Sequence, residues 1–233
     1  AAGLFRIMKP AERKTLNVEL HLHTCASKDS LVRIDDLLKH CKKIGIDRVA
    51  ITDHNVIKNA LKAKAMAPDR VIVGEEIETT RGELLGYFMT EHVPPGLEPL
   101  AAIARLRAQG ALISVAHPFD STRTQHWDAD ELLAIAPYVD AIESFNARCL
   151  SNKPNQAAGT FAKKHGLLET VGSDAHSLWE VGRAYLTLPE FTDAAGFKAG
   201  LVNAKKNTQL SPFFVHFFSR YAVFRKKLSR IFQ

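Results

Sequence analysis

Apolar and polar positions fall along this chain in blocks of two periods. Residues 17–22 form a short β-type run. Residues 31–44 follow with apolar side chains at Ile34, Leu37, Leu38 and Cys41, the spacing of one helix face. Gly45 stops that helix, and residues 47–52 read as the next strand. A helix over 56–66 leads to strands over 70–77 and 84–89, these two separated by a turn at Arg81-Gly82. Past Pro94-Pro95-Gly96 a helix occupies 97–109, followed by strands over 111–116, 139–144 and 168–171, with a helix near 156–165 before the last of them. Residues 183–188 add a final strand. Strands alternating with helices predict a mostly parallel sheet covered by helices, and this number of strands suffices to close a β/α barrel.

The pattern changes near Pro189, where the acidic residues run out. Residues 194–233 hold eight Lys/Arg and no Asp or Glu, leaving 23 of the 31 basic residues against all 25 acidic ones in residues 1–193. The net charge of +6 is therefore a property of the tail, and any anionic partner is expected there. Between Ser211 and Gln233 the tail places Phe214, Phe217, Phe218, Tyr221, Phe224, Leu228, Ile231 and Phe232 at helical spacing, with Arg220, Lys226, Lys227 and Arg230 among them. The plain reading is a terminal helix that docks its aromatic stripe on the barrel. The others are a membrane-surface helix, a partner helix or a nucleic-acid contact. Two regions follow: 1–189 as the β/α body and 190–233 as a basic, aromatic-rich helical extension.

Composition narrows the class. At 233 residues, 46% hydrophobic and 24% charged, the chain has the make-up of a globular protein able to bury a large core, not of a disordered or collagen-like one. Three cysteines, Cys25, Cys41 and Cys149, are odd in number and form no C-x-x-C pair, which argues against a disulfide framework or a cysteine-built zinc site. No apolar run reaches the ~18 residues of a membrane span, and residues 1–9 carry no signal-type apolar segment. A cytoplasmic protein is expected.

The candidate chemistry sits at strand ends. His21 and His23 end the first strand, and alternation projects both imidazoles to one side. Asp53-His54 ends the second strand, Glu75-Glu76 lies in the third, and His117, Glu143 and the pair Asp174/His176 end later ones. Five of the ten histidines thus stand at C-terminal strand ends beside carboxylates. That face of a β/α barrel gathers distant residues into an active site. Imidazole with carboxylate suits zinc, manganese or iron, and the set exceeds what one ion takes, so several ions are implied. Strand alternation does not choose between Glu75 and Glu76. Cys25 reads as packing, and His40, His92, His126, His165 and His216 fit no motif and read as surface or packing residues.

The motifs HLHTCASKD, ITDHN, GEE, AHP, ESFN and GSDAH, in this order from about Val18 to Leu188, resemble those of the polymerase and histidinol phosphatase (PHP) family. The resemblance implies a distorted (β/α)7 barrel and a phosphoesterase using two or three divalent ions. By that resemblance His21, His23, Glu76 and Asp174 hold the first ion. Glu76 bridges to a second, which His117 ligates, and Asp29, His54 and His176 form a third set. Asp29 lies where family members carry histidine or aspartate, and Glu83 lies where many relatives carry a histidine ligand. The family's glycine-x-glutamate pattern favours Glu76 over Glu75.

Glu143 and Asp53 read as supporting carboxylates, Asp53 orienting His54 or capping the following helix. Arg148 and Arg183 are the candidate phosphate forks, with Lys28 as a third. The expected reaction is hydrolysis of a phosphate ester by metal-activated hydroxide, on a nucleotide or nucleic-acid end. A histidinol-phosphate-type phosphatase, an amidohydrolase and a non-catalytic metal-containing nucleic-acid-binding module are the rival readings.

Overall fold

A computed structural model describes residues 14–231, so the readings made on residues 1–9 and on Phe232 lie outside the described residues. The strands are β1 (Thr15–Glu19), β2 (Arg48–Ile51), β3 (Val71–Glu78), β4 (Glu83–Tyr87), β5 (Leu112–Val115), β6 (Ala141–Asn146), β7 (Leu168–Gly172), β8 (Ala184–Pro189) and β9 (Lys205–Thr208). They form one sheet in the order β7-β6-β5-β4-β3-β2-β1-β8-β9. β1, β2 and β3 pair in parallel, as do β5, β6 and β7, whereas β4 runs antiparallel to both of its neighbours. A parallel bridge between Leu22 and Ala175 brings the chain after β7 back to the chain after β1, so the sheet is nearly closed into a barrel. The fold is mixed α/β and barrel-like, with β4 and β8 running against the other strands.

The helices are α1 (Ile34–Lys43), α2 (Lys58–Met66), α3 (Pro99–Ala108), α4 (Ala129–Ile135), α5 (Lys153–His165), α6 (Ala194–Leu201) and α7 (Val215–Ile231). α1 opens with Asp35 and Asp36 and closes with Lys42 and Lys43, charges that oppose the helix macrodipole at each end. α5 ends at Gly166, whose φ of 66° supplies the left-handed cap. One core packs α1, α2 and α3 against the sheet through residues such as Leu37, Ala60, Ile51, Val73 and Leu106. A second core lies on the other face, where Val18 and Leu20 meet Leu85, Tyr87 and Phe197.

Residues 190–208, read from sequence as the start of the extension, are built onto the body instead. Phe197 and Leu201 of α6 are buried, and β9 pairs with β8. Among the described residues no helix is long and apolar enough to cross a membrane.

Candidate metal centre

Strand geometry selects the residues of the site. Along β3, Ile72 and Glu76 share one face with the second core, while Val71, Val73, Glu75 and Ile77 face the other way. Glu75 accordingly turns outward, where His92 Nδ1 stands 2.6 Å away and the Val93 amide donates to it. Glu76 turns to the barrel rim. Its Oε1 lies 3.2 Å from His21 Nε2 and 2.9 Å from His117 Nε2. Its Oε2 lies 2.9 Å from His54 Nδ1 and 3.3 Å from His23 Nε2. Four imidazoles, from the segments after β1, β2 and β5, thus meet one carboxylate.

Asp174 and Asp29 extend the cluster. Asp174 Oδ1 is 3.2 Å from His23 Nε2 and 3.7 Å from His21 Nε2. Asp29 Oδ2 is 3.1 Å from His176 Nε2 and 3.5 Å from His54 Nε2. Glu83 joins because β4 is reversed: its first residue lies at the same rim as the C-terminal ends of its neighbours. Glu83 Oε2 stands 3.3 Å from His117 Nε2, and Oε1 stands 3.9 Å from His54 Nδ1. His117 and Asp174 take positive φ values of 26° and 52°, a backbone region that side-chain-bearing residues rarely occupy and that here aims both groups inward.

Burial and crowding set the charges. Burial disfavours a charged His21, yet Glu76, Glu143 and Asp174 together hold its pKa well above the ordinary value. His23 goes the other way: burial, then repulsion from His54 and His176, lowers it to about 3. Burial, then the charge of Glu76, raises Glu83 to about 7. Burial works against ionising Glu76, but His21 and His54 hold its pKa well below the usual range.

The donor set fits divalent metal. His21 Nε2, His23 Nε2, His54 Nδ1, Glu76 Oε2, Asp174 Oδ1 and Asp29 Oδ1 are buried without a hydrogen bond. Wherever a ring is neutral, its lone pair then faces carboxylate lone pairs, which is costly in a buried site unless a cation lies between them. Four triplets bring ligand atoms within 4.8 Å of one another: His23/His54/His176, His21/His23/Glu76, His21/His117/Asp174 and His54/Glu76/Glu83. His21, His23, His54 and Glu76 recur among them, the pattern of ions sharing ligands.

Surrounding groups hold this set in place. Glu143 meets His21 Nδ1 at 2.8 Å and accepts from the His117 amide at 2.9 Å, so one carboxylate orients the His21 ring and anchors the backbone that bears His117. Asp53 acts on His54 indirectly rather than through its ring. It accepts from the amides and hydroxyls of Thr24 and Ser27. Ser27 then stands 3.2 Å from His23 Nδ1 and accepts from the His54 amide, so Asp53 acts through a turn. Cys25 sits on the surface of that turn and is exposed, not packed.

A cleft of about 370 Å³ leads to the cluster, and Lys28, Asp29, His54, Glu83, Arg123 and Arg148 are among the residues lining it. Arg183 is not among its lining residues. Arg148 is held by Glu180 at 3.4 Å and donates to Ser219 of α7 at 2.9 Å. Arg123, which sequence reasoning missed, bonds Asp174 and also reaches Asp120 at 3.2 Å. Its only sequence signal is a place six residues past His117, in a rim loop. His216, read as surface or packing, also lines the cleft, 3.3 Å from Arg148.

The fold and site define a barrel whose rim gathers histidine–carboxylate clusters that could hold metal. Family comparison agrees: the PHP domain model matches residues 19–150, and the PHP-associated model matches residues 152–205. The chain belongs to the PHP family. An uncharacterised protein of Methanocaldococcus jannaschii is 38% identical over 200 residues, covering 84% of this chain and 76% of that one. A two-domain protein of Bacteroides vulgatus containing a predicted PHP-like metal-dependent phosphoesterase has a similar structure, with a TM-score of 0.68 at 18% identity, covering 84% of this chain and 66% of that one. A lesion-specific endonuclease of Pyrococcus furiosus has a TM-score of 0.56 at 17% identity, covering 83% of this chain and 57% of that one. At those identities the two structures show the shared fold.

Proposed function

We propose that this protein is a metal-dependent phosphoesterase acting on a nucleotide or nucleic-acid end. The observation that carries the reading is Glu76, itself fully buried, whose two oxygens each face two imidazoles at 2.9–3.3 Å. Manganese, zinc or iron ions fit the donors, with His21, His23, Glu76 and Asp174 around one, Glu76, His117 and Glu83 around another, and Asp29, His54 and His176 around a third. Bound there, divalent ions supply hydroxide from water near neutral pH and neutralise the charge of an in-line displacement at phosphorus.

The chain's own residues do the rest. Glu143 keeps His21 and the loop bearing His117 in register, and the Asp53–Ser27 pair does the same for His23 and His54. Arg123 and Arg148 line the approach with guanidinium forks suited to phosphate oxygens, and we assign anion binding to them in place of Arg183. Two features support a nucleotide or nucleic-acid end: the open cleft with Arg123 and Arg148 among its lining residues, and the fold shared with a lesion-specific endonuclease.

The test is manganese-dependent hydrolysis of a chromogenic phosphate monoester and diester, then of nucleoside bisphosphates and short RNA. Glu76→Gln and the His21→Ala/His23→Ala pair are expected to lower turnover at least about 100-fold. Arg123→Ala is expected to raise KM more than it lowers kcat. Full metal content with no turnover of any phosphate ester, beside metal-independent RNA binding, would replace the enzyme reading with a binding module.

A further inference from the structure

α7 does not dock its aromatic stripe on the barrel. At 100° per residue, Val215, Ser219, Ala222 and Lys226 fall on one face, and this face meets the body. Val215 and Ala222 are buried, Ser219 accepts from Arg148, and Lys226 donates to the carbonyls of Cys25 and Ser27. The opposite face carries Phe217, Tyr221, Phe224 and Leu228, continued by Phe213 ahead of the helix. Phe217 and Phe224 are 58% and 59% exposed. Such a run of open aromatic surface on a helix fixed to its barrel by the other face requires a partner.

The charges choose that partner. Exposed Arg220 and Lys227 border one edge of the apolar stripe, and exposed Arg225 borders the other. No charged residue interrupts the stripe itself, and residues 194–233 contain no acidic side chain. A second copy of the chain would set these cations against their equivalents. A nucleic-acid strand would need cations interleaved with the rings, so that phosphates and bases are met together. An apolar stripe with cations along both margins matches a bilayer surface, where acyl chains lie just below anionic headgroups. Residues 215–231 carry five Lys/Arg, and among the described residues no helix is long and apolar enough to cross a membrane, so this segment fits the surface of a bilayer.

We propose that α7 is an interfacial helix that seats this protein on an anionic lipid surface by its Phe217–Phe224 face. The test is co-sedimentation of the full chain with vesicles of phosphatidylcholine alone and with vesicles also containing phosphatidylglycerol. Binding to the anionic vesicles is expected to be at least about tenfold stronger and to weaken in high salt. Phe217→Ser/Phe224→Ser and, separately, Arg220→Glu/Lys227→Glu are each expected to weaken it about tenfold or more. Hydrolysis of a soluble chromogenic ester and the circular dichroism spectrum should stay as in the parent. Equal binding to both vesicle types, or none, overturns the proposal. So does self-association or RNA binding that the phenylalanine variant abolishes while vesicles are ignored.

Discussion

At the scale of single residues the site depends on what is missing as much as on its ligands. Gly172, at the end of β7, lies where a Cβ would come 2.2 Å from His21 Cβ and 2.5 Å from Glu143 Oε1. Both neighbours are buried and mutually bonded, so neither can withdraw cheaply. Gly172→Ala is expected to lower bound metal and turnover about 10–100-fold and to cost about 1–3 kcal/mol through overpacking. Metal analysis after dialysis and a urea titration check both, and unchanged metal content would show that the rim adapts.

The cysteines offer a second residue-level test. Burial raises the Cys41 thiol to about 12 and also raises Cys149, whereas Cys25 is exposed. One thiol per chain should react rapidly with a disulfide reagent, Cys25→Ser should remove it, and the other two should react only on denaturation. The histidines of the cluster stand out in the sequence by their place at strand ends, whereas Asp29, Glu83 and the choice of Glu76 over Glu75 rest on the family resemblance. Arg123 and the route from Asp53 through Ser27 are not legible there, since each acquires its role from contacts between segments distant in sequence.

At the scale of elements, Asp140 ties three of them together just ahead of β6. Its carboxylate accepts from Arg107 of α3 at 2.6 Å, from Lys198 of α6 at 2.6 Å and from the Ile113 amide of β5 at 3.0 Å. Burial alone would raise its pKa, but the bonds from Lys198, Ile113 and Arg107 carry it below the ordinary value. The unfolded chain therefore binds the proton more readily, and the stabilisation is present above the ordinary carboxylate pKa of about 4 and lost as pH falls through the folded value. Asp140→Asn should cost about 1–3 kcal/mol at neutral pH, and the gap should close on acidification below about pH 4. Urea titrations of both proteins in chelator would show it, and a gap independent of pH would mean that packing, not charge, is the cause.

The same scale separates what patterning reveals from what it hides. The strands β1 to β8 and most helices announce themselves by period. α6 contains Gly196 and Gly200, and β9 reads Lys-Lys-Asn-Thr, so neither has a local preference to detect. Buried Phe197 and Leu201 hold the first, and pairing to β8 holds the second. The reversal of β4, which delivers Glu83 to the rim, follows from the turn at Arg81-Gly82 only once the hairpin with β3 is formed.

At the scale of the whole molecule, the cluster couples the ends of the barrel. Its side chains come from segments after β1, β2, β5 and β7 and from β3 and β4, so an unfolded chain presents no comparable site. Ions that bind the folded form alone stabilise it by mass action, about 2.7 kcal/mol at a free concentration 100 times Kd. For a chain of this length that corresponds to a rise in Tm of about 5–10 °C. Calorimetry of the chelator-treated protein with added manganese or zinc should show this rise, and excess chelator should reverse it. Glu76→Gln should abolish most of it, because that one side chain faces four of the imidazoles. Phe217→Ser/Phe224→Ser should retain it in full, since the outer face of α7 touches none of the ligands. A Tm indifferent to metal in the parent protein, with binding shown by analysis, would mean that the barrel is already rigid at the rim and that the imidazole–carboxylate pairs satisfy one another by protonation.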